Sequence, residues 1–143
     1  MNHYYKDKVV VVTGGTDGIG RALVSKLLHL GAKVATCGRK HDKLYELQAQ
    51  HPSLPLHTLV ADVSNEADCK RFIESTLQAF GKIDILINNA GISMRALFKD
   101  LEVSVIKKVM DINFYGAVHC TKFALPALIS SKGTIVGVSS IAG

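Results

Sequence analysis

A chain of 143 residues is long enough for one domain with its own core and too short for two. Apolar residues make up 48% and charged residues 20%, the balance of an ordinary globular protein, and no run approaches the ~18 consecutive apolar residues of a spanning helix, so no membrane partner is expected. The net charge of +5 comes from basic residues scattered singly or in pairs (Arg39-Lys40, Lys70-Arg71, Lys107-Lys108), which fits a solvated surface with a mild bias towards phosphate ligands and predicts no nucleic-acid face.

Lys8 to Val12 is a β-branched run opened by charge and closed by a glycine cluster, which predicts a buried parallel strand. It is too short for a signal-peptide core and no small-residue cleavage site follows, so a cytoplasmic location is expected. From Gly18 to Leu30 the pattern turns helical, with Ile19, Ala22, Leu23, Leu27 and Leu30 on one stripe and Gly31 as the stop. Lys33 to Cys37 predicts a second strand and His41 to Gln50 a second helix, punctuated by Pro52 and Pro55. Leu56 to Ala61 predicts a third strand, and Ser64 or Asn65 caps a helix running to Phe80, with Gly81 behind it. Asp84 to Asn88 predicts a fourth strand. Val103 to Ile129 reads as one long helix in which Pro126 is a kink or an early stop, and Gly133 leads into a fifth strand, Thr134 to Ser139. Strand and helix alternate throughout, which predicts right-handed βαβ units and an α/β domain over residues 1–143 with helices on both faces of a parallel sheet. Cys37, Cys69 and Cys120 form no C-x-x-C and read as reduced structural thiols; the six histidines show no H-E-x-x-H pattern, and no metal is predicted.

The first strand runs into Thr13-Gly14-Gly15-Thr16-Asp17-Gly18-Ile19-Gly20. Glycines at a strand–loop–helix junction make a tight turn, let a pyrophosphate approach the backbone and let helix pack on strand, while the helix amino end offers free N–H groups to phosphate. No G-K-[ST] follows, so a triphosphate-type loop is disfavoured.

The spacing of this loop resembles the TGxxxGIG signature of the short-chain dehydrogenases/reductases. Four further segments agree in order: Asp62-Val63 after the third strand, Asn88-Asn89-Ala90-Gly91 after the fourth, Asn113 inside the long helix, and Gly137 to Gly143 ending the fifth. The resemblance implies a Rossmann-like doubly wound sheet of order 3-2-1-4-5 binding a nicotinamide dinucleotide. It implies that Gly14, Gly18, Ile19 and Gly20 line the pyrophosphate, that Asp62 bonds the adenine amino group with Val63 beside the ring, and that Asn89 and Gly91 pass near the adenosine ribose. Read from the residues alone, Asp62 has a helix cap as its alternative, the less favoured of the two. Asn88 is expected to be structural, tying neighbouring strands.

Beyond the second strand a carboxylate would select NAD and a basic residue NADP. The chain has Cys37-Gly38-Arg39-Lys40, with no acid before Asp42 and with Arg39 19 residues after Gly20, so NADP(H) is favoured over NAD(H). Asp17 counts against this: many NADP-preferring relatives carry a basic residue there, and an inward carboxylate would repel the phosphate.

In the family, a tyrosine exchanges the proton of the substrate oxygen, a lysine four residues later supports it, a serine polarises that oxygen and an asparagine positions a water. The resemblance assigns the serine to Ser140 and the asparagine to Asn113, and places YxxxK about a dozen residues beyond Ser140, where the sequence has ended. Tyr4, Tyr5, Tyr45 and Tyr115 are not expected to replace it. The expectation is therefore an incomplete domain, truncated after the fifth strand and inactive alone: part of an NADP(H)-dependent oxidoreductase of alcohols or carbonyl compounds, with homo-oligomerisation through the long helix. The alternative is a non-catalytic dinucleotide-binding or regulatory module acting through a partner chain. Ile92 to Phe98 reads either as one wall of an apolar substrate pocket or as loop packing.

Overall fold

The computed structural model describes residues 3–141; Met1 and Asn2, and Ala142 and Gly143 of the serine motif, lie outside the described residues. Five parallel strands, β1 (Val9–Thr13), β2 (Lys33–Gly38), β3 (Leu56–Val60), β4 (Ile85–Asn88) and β5 (Thr134–Gly137), form one sheet in the order β3-β2-β1-β4-β5. The helices are α1 (Gly18–His29), α2 (His41–Gln50), α3 (Glu66–Phe80), α4 (Val103–Met110) and α5 (Gly116–Ser131). The doubly wound α/β fold and its strand order are thus as the sequence implies.

Period-two alternation along the central strand builds two cores. Val10 and Val12 point to one face, where α1 and α2 cover them with Val24, Leu27, Leu28 and Leu47. Val11 points to the other, against Phe72 and Ile73 of α3 and Cys120, Ala124 and Leu128 of α5. All five β1 residues are buried, so the β-branched run has no polar face to show. All four residues of β5 are exposed, and it forms the sheet edge beside β4.

The long helix runs unbroken from Val103 to Ser131, but it is not α-helical throughout. Asp111–Tyr115 forms a π turn between α4 and α5, placing Asn113 at its centre. A π bulge inserts an extra residue into a turn and turns the following face, an event hydrophobic periodicity does not reveal. Pro126 neither stops nor shortens the helix, which continues to Ser131. β3 and β5 end one and two residues earlier than expected, although Ala61 N–H still donates to Gly38 O and Val138 N–H to Asn88 O. Asn65, of the two candidates, caps α3, its side-chain oxygen accepting from Asp68 N–H at 3.0 Å.

α5 ends on Lys132 in the left-handed region (φ 53°), a conformation that costs an L side chain roughly 1 kcal/mol. Lys132→Gly is expected to stabilise the protein by about 0.5–1 kcal/mol in urea unfolding; an unchanged or lower midpoint would show that the lysine is held there by other contacts.

Candidate functional site

The carboxyl ends of the five parallel strands converge on one cavity of about 740 Å³. It takes Thr13 and Gly14 from the end of β1, Cys37 to Arg39 from β2, Ala61 to Val63 beyond β3, Asn88 to Ser93 from β4, and Val138 to Ser140 beyond β5. A parallel sheet brings every strand-to-helix turn to one edge, and ligands bind in the crevice where the winding direction reverses. Gly14, Gly18, Ile19, Gly20, Arg39, Asp62, Val63, Asn89, Gly91, Asn113 and Ser140 all line it.

The glycine loop is shaped from below by threonines. Thr36, fully buried in β2, accepts from Gly15 N–H at 3.0 Å and donates to Val12 O at 2.6 Å, so its hydroxyl fixes the loop to the strand that launches it. Thr13 Oγ1 accepts from both Asn89 N–H (3.0 Å) and Ala90 N–H (2.9 Å), locking the loop to the β4 turn. At Gly14 (φ 67°) a Cβ would meet Ala90 Cα at 2.9 Å, so glycine is required there on two counts. Gly18 (φ 53°) has nothing within 4 Å of its Cβ direction, leaving backbone open towards the cavity at the amino end of α1.

Asn89 is turned to the protein: its Nδ2 donates to Thr13 O (3.0 Å) and Gly14 O (3.2 Å). It braces the loop, and the cavity meets its flank. Asn88 donates to Thr121 Oγ1 of α5 at 3.1 Å, so it ties β4 to a helix where a strand-to-strand tie was expected. Asp62 does not cap α3. Its Oδ1 accepts from Ser64 N–H (3.0 Å) and Ser64 Oγ–H (2.7 Å), while its own N–H donates to Asp68 Oδ2 at 2.9 Å. That N–H, with Arg71 alongside, holds the Asp68 carboxyl below the usual carboxylate range. Cys37, fully buried, lies between the loop and this turn, and burial pushes its thiol up to about 12, so it adds no charge at neutral pH.

Asn113 makes a reciprocal pair with Ile92, Oδ1 accepting from its N–H and Nδ2 donating to its carbonyl, both at 2.8 Å. The π turn thereby anchors the strand-to-helix segment after β4. Ile92 and Ser93 reach the cavity, whereas Leu97 and Phe98 are exposed away from it.

Of the four tyrosines, Tyr4 does stand four residues before a lysine, Lys8, so the Y-x-x-x-K spacing occurs once in the sequence. The Lys8 ammonium sits 4.1 Å over the Tyr4 ring. The pair precedes β1, so a strand of five residues, roughly 16 Å, separates it from the cavity end. It cannot serve the site.

Thr13, Thr36 and Lys43 escaped the sequence reading as individual actors. Thr36 carried a faint signal, a hydroxyl in the middle of an otherwise apolar strand; the partner of Lys43 is set only by tertiary packing.

Glycine turn, open helix amino end and converging strand termini define a Rossmann-type dinucleotide-binding fold. The chain belongs to the short chain dehydrogenase family, whose model matches residues 8–143. It is 42% identical to 11-beta-hydroxysteroid dehydrogenase-like 2 of Arabidopsis thaliana, over 93% of this chain and 44% of that protein. It is 38% identical to dehydrogenase/reductase SDR family member 7B of Bos taurus, over 100% of this chain and 47% of that protein. The chain thus spans less than half the length of these relatives. A short chain dehydrogenase/reductase from Burkholderia phymatum, crystallised with NAD, superposes with a TM-score of 0.91 at 27% identity, over 96% of this chain and 50% of that one. One from Caenorhabditis elegans, of unknown function and crystallised with cofactor, gives 0.89 at 36% identity, over 97% and 55%. No helix among the described residues is long and apolar enough to cross a membrane.

Proposed function

We propose that residues 1–143 form the cofactor-binding part of an NADP(H)-dependent oxidoreductase that interconverts an alcohol and a carbonyl compound. The observation that carries the reading is Arg39. It lines the cavity at the tip of β2, and no carboxylate among the described residues pairs with it. A guanidinium there suits a 2′-phosphate, which it can grip with two parallel hydrogen bonds.

The residues present fit the dinucleotide. The open backbone at Gly18, with Gly14, Ile19 and Gly20, would receive the pyrophosphate at the α1 amino end. Asp62 would offer Oδ2 to the adenine amino group, since its bonds from Ser64 use Oδ1, with Val63 beside the ring and Gly91 near the ribose. When bound, the nicotinamide supplies or accepts the hydride. Ser140 would donate its hydroxyl proton to the substrate oxygen in a hydrogen bond, stabilising charge that develops there. Asn113, with one donor and one acceptor spent on Ile92, keeps one N–H and one lone pair for a water. No tyrosine–lysine pair lines the cavity among the described residues, and on this reading the proton is exchanged by such a pair elsewhere in the protein. Exposed Phe114, Val118, Leu125 and Ile129 on the long helix support homo-oligomerisation through that face.

Titrating the full-length protein with NADPH and NADH by fluorescence tests the cofactor assignment. Tighter NADPH binding is expected, and Arg39→Asp is expected to weaken NADPH about ten-fold or more while sparing NADH. Equal affinities in the wild type would overturn the NADP reading and leave the family untouched.

A further inference from the structure

Asp17 is the anomaly of the site. It lines the cavity between Thr16 and Gly18, on the same rim as Arg39, and a bare carboxylate there would oppose an incoming phosphate. The structure supplies its counterpart. Lys43, in the first turn of α2, places its ammonium 2.8 Å from Asp17 Oδ1 and 2.7 Å from Oδ2, so one cation serves both oxygens. The ammonium holds the Asp17 carboxyl below the usual carboxylate range, with the charge of Arg21 adding to the effect. Arg21 itself pairs with Glu46 at 3.1 Å, so α1 and α2 are bridged twice, by charges of opposite order.

We propose that Lys43 is a positioning residue for cofactor choice: by gripping Asp17 it cancels a negative charge on the rim of the cavity that Arg39 also lines, and leaves the positive charge of Arg39 to act on a 2′-phosphate. The inference rests on the NADP reading and explains how a glycine loop carrying an acid before Gly18 accommodates a phosphorylated ribose. A cation that neutralises the acid from the neighbouring helix achieves the same local charge as a neutral residue in the loop. The pair is largely exposed, with side-chain accessibilities of 38% for Lys43 and 64% for Asp17, so it contributes little to folding. Its influence would be on a dianionic ligand in the cavity that Asp17 and Arg39 both line, where even a water-screened carboxylate matters.

The test uses the full-length protein and four probes: NADPH, NADH, adenosine 2′,5′-bisphosphate and adenosine 5′-monophosphate, the last two isolating the adenosine end from any chemistry. Lys43→Met is expected to weaken NADPH and the bisphosphate on the order of five-fold and to leave NADH and the monophosphate unchanged. Lys43→Arg should restore wild-type preference. Asp17→Asn, added to Lys43→Met, should also restore it, because the charge being masked is gone. Asp17→Asn alone, which does not depend on Lys43→Met folding, should raise the preference for NADPH. A Lys43→Met protein that loses both nucleotides equally, or a double variant that stays weak for NADPH, would overturn the masking role. A wild type without preference for NADPH would overturn the NADP reading and this inference with it, whereas a preference that Lys43→Met leaves intact would overturn the inference alone.

Discussion

Gly20→Ala is expected to weaken dinucleotide binding on the order of a hundred-fold and to destabilise the fold by about 1–3 kcal/mol. The methyl group would be driven into the carbonyl oxygen of Gly14 and the amide nitrogen of Asn89. Neither can yield alone. The Gly14 carbonyl belongs to a backbone held on one side by Ala90, and the Asn89 amide nitrogen is committed to Thr13 O and Gly14 O. Relief therefore requires the whole loop to lift off the β4 turn, and the loop is the surface the pyrophosphate would meet. Gly81→Ala is the control. Gly81 also sits at positive φ (76°), but it ends α3, with nothing within 4 Å of its Cβ direction and no part in the cavity. It should cost about 1 kcal/mol of stability and none of the binding. Titration with NADPH, paired with urea unfolding, separates the two. Wild-type binding by Gly20→Ala would mean that the loop does not hold the pyrophosphate.

Phe72→Ala is expected to cost about 3–5 kcal/mol, a large share of the roughly 5–15 kcal/mol that holds a domain of this size together. Phe72 is the largest fully buried side chain, on α3 in the core that also holds Val11, Leu86, Cys120 and Ala124. Its ring fills the space where α3, α5 and the sheet meet, and rigid strands cannot close over the void. Denaturant unfolding of the full-length protein should show the midpoint fall without a change in slope. A cost under about 1 kcal/mol would mean that the α3–α5 side of the sheet repacks freely.

The architecture was legible because its signals are local. Val9 to Val12 have no polar alternate position, so the strand had to be covered on both faces. The Thr13–Gly20 turn could be read for its use because backbone approach to phosphate demands glycine at fixed offsets. The π turn around Asn113 was not legible, since one inserted residue leaves the apolar periodicity of α4 and α5 nearly intact. Nor was the inward turn of Asn89, because an amide on a loop serves a ligand or the backbone equally well until the neighbouring carbonyls are placed.

By itself the sequence determined the alternation of strands and helices and the glycine turn, which follow from short-range periodicity and from glycine, whose conformational demands act within a few residues. The family, and most of the residues gathered at the carboxyl edge, were legible only through the resemblance of its motifs. Only the tertiary structure decided which of those residues face the cavity and which brace it. Thr36 reaches Gly15 across 21 positions and Lys43 reaches Asp17 across 26. Hydrogen bonds and ion pairs act over about 3 Å of space whatever the chain separation, so their partners are fixed when the helices dock on the sheet.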